Sequence, residues 1–259
     1  YKLIRPKCEN ISLQEEIFYQ NLKSLINKCK PEIILNLVAQ TDVSFCEKNI
    51  NSAYKSNVMV TEKIVEVIDI NRTHLIHIST DQIYDGVGPH IEINASPCNV
   101  YGLSKYFGEI IASRVNATIF RTNYVAKTQN KNKQSFVDWI VESLSNDLEI
   151  ILFKDIYFSP LHIDMLCEVI EDSFFKKISG VFNVGSIGSI SKANFAKEIA
   201  KGLKIKYSKA KVGIYSDLKN NFKRPLDMSL NSNKYLKSFD LKLPLIEDTI
   251  KAVISDFLR

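Results

Sequence analysis

The sequence contains little glycine, no closely spaced cysteines and no zinc-binding pair of histidines. Only 9 of the 259 residues are glycine, and the first of these is Gly86. The 5 cysteines are far apart, so we predict neither a disulfide framework nor a CxxC zinc site. The 4 histidines form no HExxH motif, and we predict no metal site. Unpaired cysteines are typical of the reducing cytoplasm, which is the compartment that we predict.

Long apolar runs are also missing. No segment reaches the roughly 18 apolar residues that a membrane-spanning helix needs, and the first residues lack the apolar core of a signal peptide. Part of the net charge of +5 comes from a lysine-rich stretch, residues 192–224, that contains no known nucleic-acid-binding motif. We interpret this stretch as a solvated helix surface, and we expect neither a membrane nor a nucleic acid as a partner.

Helical and strand patterns alternate along the first half of the chain. Apolar residues recur at helical spacing in some segments, whereas others are short apolar runs bounded by polar residues, which are typical of buried strands. The helices are 11–30, 49–71 and the segment that contains Tyr101, and the strands are 31–39, 74–79 and 117–121. This order predicts an α/β fold with a parallel sheet that is covered by helices on both faces.

The alternation becomes less regular after about residue 125. Further helices are predicted over residues 134–144, 191–203 and 244–258. We predict a cofactor-binding domain over residues 1–150 and a smaller α/β substrate lobe over residues 151–259, with segments interleaved between the two.

Polar residues follow three of the predicted strands. They form the clusters AQTD (39–42), STDQ (79–82) and RTNY (121–124). Ligands of parallel α/β sheets bind at the carboxyl ends of the strands. We therefore expect these three clusters to line one crevice.

A tyrosine and a lysine lie four residues apart in the segment NVYGLSKYFGE (99–109). If this segment is helical, Tyr101 and Lys105 share one face of the helix. A cation about 4–5 Å from a tyrosine, at an effective dielectric constant of about 20, lowers the pKa of the phenol by roughly two units. With a hydroxyl from Ser79 or Thr80, the pair suits proton transfer to a carbonyl group. The alternative is an ordinary surface helix that carries an amphipathic tyrosine.

Five stretches together give the sequence a family resemblance. They are IILNLVAQTDV (33–43), HLIHISTDQIYDG (74–86), SPCNVYGLSKYFGE (96–109), IFRTNYV (119–125) and RPLDMSL (224–230). In this order the chain resembles the extended short-chain dehydrogenase/reductases, and within them the dTDP-4-dehydrorhamnose reductases and related nucleotide-sugar reductases. The resemblance implies a Rossmann-like, doubly wound sheet and NADP(H) or NAD(H) as the cofactor.

The resemblance also implies a role for individual residues. Tyr101 would donate a proton to the C4 carbonyl of the sugar, Lys105 would tune Tyr101 and hold the nicotinamide ribose, and Thr80 would polarise the substrate oxygen. The implied cofactor-binding residues are Ala39, Gln40, Thr41, Ser79, Lys105, Arg121 and Thr122. The implied substrate-binding residues are Asp81, Asn123, Tyr124 and Arg224. Asp81 is also a typical turn former, and Arg224 could equally be a structural ion-pair partner.

One departure from the family concerns its first strand and glycine-rich loop, whose amides bind the cofactor pyrophosphate. No GxxGxxG motif precedes Gly86, and alignment on NLVAQTD starts the chain at about the third strand of the fold. Some 35 to 45 residues are therefore expected to be missing, either because the sequence is a fragment of a longer chain or because that half of the site has been lost. We favour a fragment, because the first strand is central in a doubly wound sheet.

The resemblance implies reduction of the C4 keto group of a nucleotide-linked deoxysugar, in deoxysugar or polysaccharide biosynthesis. The implied partner is the nucleotide-sugar substrate. A homodimer is a further expectation. Sugar dehydratases of the superfamily carry an ionisable glutamate where this sequence has Gln82, which makes a dehydratase the weaker interpretation. An epimerase of the same superfamily and a non-catalytic, reductase-like binding protein remain as alternatives.

Overall fold

The computed structural model describes residues 15–129, 134–217 and 222–259. The α-helices are α1 (Glu15–Cys29), α2 (Val43–Lys48), α3 (Ile50–Tyr54), α4 (Val60–Val67), α5 (Val100–Ala112), α6 (Phe136–Ser145), α7 (Ile163–Lys176), α8 (Lys192–Gly202), α9 (Asn233–Ser238) and α10 (Ile246–Leu258). The strands are β1 (Ile33–Asn36), β2 (His74–Thr80), β3 (Ala117–Thr122), β4 (Tyr124–Val125), β5 (Ile151–Phe153), β6 (Tyr157–Phe158), β7 (Leu161–His162), β8 (Gly180–Val184), β9 (Ile190–Ser191), β10 (Lys211–Gly213) and β11 (Asp227–Met228). Shorter turns are the π-helical segment Lys55–Met59 and the 3-10 turns Asp81–Ile83, Glu92–Asn94 and Tyr215–Asp217.

Strands β1, β2, β3 and β8 form a central parallel sheet in that order. This sheet confirms the predicted α/β class. In a doubly wound sheet the order of the strands across the sheet reverses at one point. The four described strands lie side by side in chain order, so that reversal is not among them. The register places Thr80 beside Thr122, which brings the polar ends of β2 and β3 to the same edge.

Each face of the sheet is covered by an apolar layer, because successive side chains of a strand point to opposite faces. Leu75 and Ile119 pack in a cluster with α4 and α5, whereas Ile76 and Phe120 pack with α7 and α9. The near-continuous apolar character of β2 and β3 follows from this burial on both sides.

A second apolar core joins α6, α8 and α10 to the short strands β4, β5 and β6. Helix α6 precedes residue 150 but packs in this core, while β8 follows residue 150 but completes the central sheet. The predicted helix 49–71 is observed as α3 and α4 with the π-helical segment between them. Among the helices of the described residues, none combines the length and the apolar composition of a membrane span. In the same residues, no group of acidic, histidine and cysteine side chains is arranged to hold a metal ion.

Candidate active site

Helix α5 begins over the carboxyl end of β2, and three contacts hold it there. The Asn99 side chain caps the helix by accepting a hydrogen bond from the Gly102 amide (2.8 Å). The Glu47 carboxylate accepts from the Val100 amide (2.7 Å), which suits the positive end of a helix dipole. Gly102 allows close packing, because a Cβ there would lie 2.4 Å from the carbonyl oxygen of Gln82.

Tyr101 lies in the first turn of α5 and is buried. Burial raises the pKa of Tyr101 above its ordinary value, and hydrogen bonding with Thr80 offsets part of this increase. Depression of this pKa by Lys105 was expected from the spacing, but this expectation is wrong for the protein alone. Loss of hydration is the largest influence on the phenol, and the lysine is not among the main ones.

Lys105 lies one turn further along α5 and is also buried. Its Nζ donates to the carbonyl oxygen of Ile78 at 2.6 Å. Burial lowers the pKa of Lys105 to about 8, and the nearby carboxylate of Glu109 only partly opposes this shift. An ammonium group offers three donors, so Lys105 retains hydrogen-bonding capacity for a ligand.

Asp81 follows Thr80 at the end of β2 and is buried. Its carboxylate accepts from Asn123 Nδ2 (2.6 Å) and from the Thr80 hydroxyl (3.3 Å). Burial raises the pKa of Asp81 to about 6, against the opposing influence of Asn123, Lys192 and Thr80. A buried carboxyl group whose pKa is raised in this way, near a tyrosine, is typical of functional sites.

Two buried hydroxyls at the same edge of the sheet have no partner among the described residues. They are Ser79 Oγ and Thr122 Oγ1, which belong to adjacent parallel strands. Buried hydroxyls are normally hydrogen-bonded. Ser79 pairs with Arg121 and Thr122 with Thr80, so the two hydroxyls lie on opposite faces of the sheet. Ser79 is on the face that α5 covers, and its hydroxyl and the free donors of Lys105 fit a polar group such as a nicotinamide riboside.

The loop after β1 contains Ala39, Gln40 and Thr41, and Asn57 holds it in place. Asn57 Oδ1 accepts from the Gln40 amide (2.8 Å), and its Nδ2 donates to the Gln40 carbonyl (3.1 Å) and to Ser104 Oγ (2.8 Å). Asn57 lies in the π-helical segment, a feature frequent at functional sites. Sequence reasoning missed it, although an asparagine inside a helical pattern is a signal, because its side chain competes for backbone hydrogen bonds.

Arg121 was expected near the nicotinamide, and the structure shows its guanidinium engaged by other residues of this chain. It donates to both carboxylate oxygens of Glu109 (2.6–3.1 Å) and to the Tyr84 hydroxyl and the Glu92 carbonyl (each 2.7 Å). The pKa of Arg121 is raised because the hydrogen bonds and charge of Glu109 outweigh the cost of burial. The side chain thus ties β3 to α5.

The remaining expected residues lie around this cluster. Tyr124 is exposed, and it is near enough to Tyr101 to raise the pKa of that phenol. Arg224 Nη2 donates to Ser44 Oγ at 2.9 Å, and its guanidinium lies 5.2 Å from the ring centroid of Phe222. Phe222 packs against the apolar cluster that contains Tyr101.

Comparison with known proteins identifies the family. Residues 14–259 match the family described as the RmlD substrate binding domain. The chain belongs to this family. Among the relatives of this chain, the probable low-salt glycan biosynthesis reductase of Haloferax volcanii is 24% identical over 92% of this chain and 82% of its own length. The dTDP-4-dehydrorhamnose reductase of Sinorhizobium fredii is 25% identical over 96% of this chain and 90% of its own length.

Solved structures show the same fold as this RmlD-family chain. The dTDP-4-dehydrorhamnose reductase of Bacillus anthracis, in complex with NADP, has a TM-score of 0.81 at 24% identity and covers 92% of this chain and 85% of its own. A hypothetical dTDP-4-dehydrorhamnose reductase from Sulfolobus tokodaii has a TM-score of 0.79 at 28% identity, over 96% of this chain and 87% of its own.

Proposed function

We propose that this chain reduces the C4 keto group of a dTDP-linked 6-deoxysugar with NADPH, as its relatives named dTDP-4-dehydrorhamnose reductases do. The observation that carries the proposal is the cluster of Tyr101, Lys105 and Thr80 at the carboxyl end of β2, with the unpartnered hydroxyl of Ser79 on the face of the sheet that α5 covers. This arrangement supports carbonyl chemistry, because it combines a proton donor with spare hydrogen-bonding groups in a buried place.

The keto oxygen of the substrate accepts hydrogen bonds from Tyr101 and from Thr80, whose single proton is directed at Asp81 when no substrate is bound. The phenol stays protonated at neutral pH, since burial raises the pKa of Tyr101, and it is therefore ready to act as an acid. Thr80 is fixed at the end of β2, where its Oγ1 also accepts from the Gln82 amide (3.2 Å). Tyr101 transfers its proton to the oxygen as negative charge develops there.

Lys105 and Ser79 would hold the nicotinamide half of the cofactor, and Thr122 would contact it at the end of β3. When bound, that group supplies the hydride which reduces the C4 carbon. Lys105 then has a second hydrogen-bonding partner besides the Ile78 carbonyl, and its positive charge stabilises the tyrosinate left after proton transfer. The loop of Ala39 to Thr41, fixed by Asn57, lines the groove of the cofactor.

Asp81, Asn123 and Tyr124 contact the sugar from the polar ends of β2 and β3. Arg224, which the Ser44 hydroxyl fixes at 2.9 Å, faces the diphosphate of the nucleotide. Relatives active in glycan and spore-coat polysaccharide biosynthesis support a role in polysaccharide precursor synthesis, which we place in the cytoplasm.

A direct spectrophotometric assay tests the proposal. The chain is mixed with NADPH and dTDP-4-dehydrorhamnose, and absorbance at 340 nm and the sugar product are followed. The expected result is stoichiometric NADPH oxidation with formation of dTDP-rhamnose. A folded chain that forms no dTDP-rhamnose, with either NADPH or NADH, would contradict it.

A second copy of the chain is the partner that we propose for an exposed apolar face. Leu103, Phe107 and Ile110 lie along one side of α5, and Ile50 and Tyr54 lie on α3, which packs beside it. Contiguous apolar surface of this kind commonly marks an interface. Sedimentation should show a dimer that Phe107→Glu converts to a monomer. A wild-type monomer at micromolar concentration would contradict the proposed dimer.

A further inference from the structure

Residues 222–224, which we call the strap, precede β11 and lie against the start of α5. Phe222 packs against the apolar cluster that contains Tyr101. At the other end of the strap, Arg224 Nη2 donates to Ser44 Oγ of α2 at 2.9 Å. The strap therefore bridges α2 and α5 beside the proposed proton donor.

Asn99, the N-cap of α5, joins this helix to the strap. Its buried side chain accepts from the Gly102 amide through Oδ1 (2.8 Å), so its Nδ2 is the atom that faces the strap. That nitrogen donates to the Lys223 carbonyl at 3.4 Å, and the thiol of Cys98 is directed at the same carbonyl from 3.9 Å. One asparagine side chain thus holds both the first turn of α5 and the backbone of the strap.

Pro225 and β11 fix the strap on the other side of Arg224. A residue that precedes proline is restricted to extended backbone conformations, and Pro225 is buried. Two residues further on, the carboxylate of Asp227 in β11 accepts from the Gly88 amide (2.8 Å). The backbone of Arg224 is therefore held from both sides, by the contact of Asn99 before it and by Pro225 after it.

The guanidinium of Arg224 has donors to spare. Its bond to Ser44 uses one of five N–H groups, and its other contact is with the Phe222 ring, whose centroid is 5.2 Å away. No carboxylate among the described residues forms an ion pair with it. A planar guanidinium with free donors suits the paired oxygen acceptors of a diphosphate.

We propose that Asn99 is a positioning residue for the nucleotide, because it holds the strap where Arg224 faces the diphosphate. This inference rests on the proposed function and adds a residue to its substrate site. The same side chain caps the helix that carries Tyr101, so it sets the diphosphate contact and the proton donor relative to each other. Binding energy from the nucleotide, which does not react, then serves to place the keto sugar at Tyr101.

A double-mutant cycle on dTDP binding tests the inference without requiring turnover. Asn99→Ser keeps a good N-cap but removes the amide nitrogen that holds the strap. Calorimetry should show that dTDP binds this variant about 3- to 10-fold more weakly than wild type, as for the loss of one hydrogen bond, and binds Arg224→Met more weakly still. Because Asn99 acts through Arg224, Asn99→Ser should cause no further loss of affinity in the Arg224→Met background.

Matched controls separate positioning from folding. The urea midpoint of Asn99→Ser should stay close to that of wild type, since the cap remains. Asn116→Ser removes a similar bond beyond the other end of α5, from Asn116 Nδ2 to the Ile70 carbonyl (3.0 Å), and it should leave the affinity for dTDP unchanged.

Three results would overturn the inference. Asn99→Ser could bind dTDP as tightly as wild type, or it could weaken binding equally in the Arg224→Met background. Arg224→Met could also bind dTDP like wild type, which would remove the diphosphate contact through which Asn99 acts. Failure of the reductase assay by a chain that passes the dTDP test would instead count against the proposed function.

Discussion

Helix α5 carries two buried charged residues one turn apart, Lys105 and Glu109. They differ in whether a side chain of opposite charge pairs with them. Glu109 meets Arg121 in a two-pronged ion pair whose shortest contact is 2.6 Å. Lys105 has a single backbone carbonyl as its partner. The pKa of Arg121 is raised, which favours its charged form, whereas the pKa of Lys105 is lowered to about 8.

The difference shows how this fold separates structure from function. Glu109 and Arg121 satisfy each other, so they hold α5 against β3 and leave nothing for a ligand. Lys105 and Asp81 are buried without an ion-pair partner among the described residues, and burial shifts the pKa of each towards its neutral form. Such groups lower the stability of the protein alone, and they mark the place where a ligand completes their hydrogen bonds.

The largest effect is expected for Tyr101→Phe, on the functional side of the comparison. Removal of a general acid typically lowers kcat by roughly 10²- to 10⁴-fold, and the phenyl ring keeps the packing of Tyr101. Steady-state kinetics should show this loss, while urea unfolding gives a free energy within about 1 kcal/mol of wild type. A variant with nearly normal kcat would remove Tyr101 from the proposed mechanism.

Arg121→Met tests the structural role of the Glu109–Arg121 ion pair. It leaves the buried carboxylate of Glu109 without its cation, which costs about 3–5 kcal/mol of unfolding free energy. Urea unfolding measures the loss. The double variant Arg121→Met/Glu109→Leu serves as the control, because removal of both charges should recover most of the stability. If the single variant were as stable as wild type, the pair would not hold α5 in place.

Asp81→Asn should make the protein more stable and less active. The pKa of Asp81 is about 6 in the folded state against an ordinary 3.8, so the folded state holds more protons between these pH values. The contribution of Asp81 to stability therefore falls as pH rises from about 4 to 6 and stays unfavourable above. Unfolding at pH 8 should show a gain of roughly 1–3 kcal/mol for Asp81→Asn.

The pH dependence supplies the control for Asp81. The gain of Asp81→Asn should shrink as the pH falls towards 4, where the wild-type carboxyl is protonated. Asp240→Asn, at an exposed carboxylate, should show no such trend. A loss of stability in Asp81→Asn at pH 8 would mean that the carboxylate is well compensated by its neighbours.

The smallest effect is expected at a surface ion pair. Lys63 and Glu66 are 3.0 Å apart on α4 and partly exposed. Glu66→Gln should change the unfolding free energy by less than about 0.5 kcal/mol, because water screens such pairs. A change as large as that of Arg121→Met would show that burial is not what distinguishes the two pairs.

Much of the fold could be predicted from local pattern. The apolar runs of β2 and β3 and the spacing of Tyr101 and Lys105 on α5 are features of contiguous sequence, and the structure has the strands and the helix where these patterns indicated them. The residues around Tyr101, Lys105 and Thr80 were predicted from the family resemblance and from the polar clusters that follow the strands. Their roles remain predictions.

Other features could not be predicted, because they depend on contacts between distant segments. Arg121 looked like a cofactor contact at a strand end, and only the position of α5 shows that Glu109 takes it. Asn57 reaches a loop 17 residues away in sequence. Lys192 opens a stretch interpreted as solvated surface, and nothing local distinguishes it from the exposed lysines that follow. Its ammonium group lies over the rings of Phe136 and Phe158, which come from distant segments.

The central claim is that the incompletely satisfied groups around Tyr101 form a binding site for the nicotinamide cofactor. A calorimetric titration of the 259-residue chain with NADPH tests it most directly, with Lys105→Met as the matched variant. The account predicts saturable binding to wild type, at least about tenfold weaker in the variant, as expected when a charged hydrogen bond is lost. No saturable binding by a folded wild-type chain, or equal affinity in Lys105→Met, would contradict it.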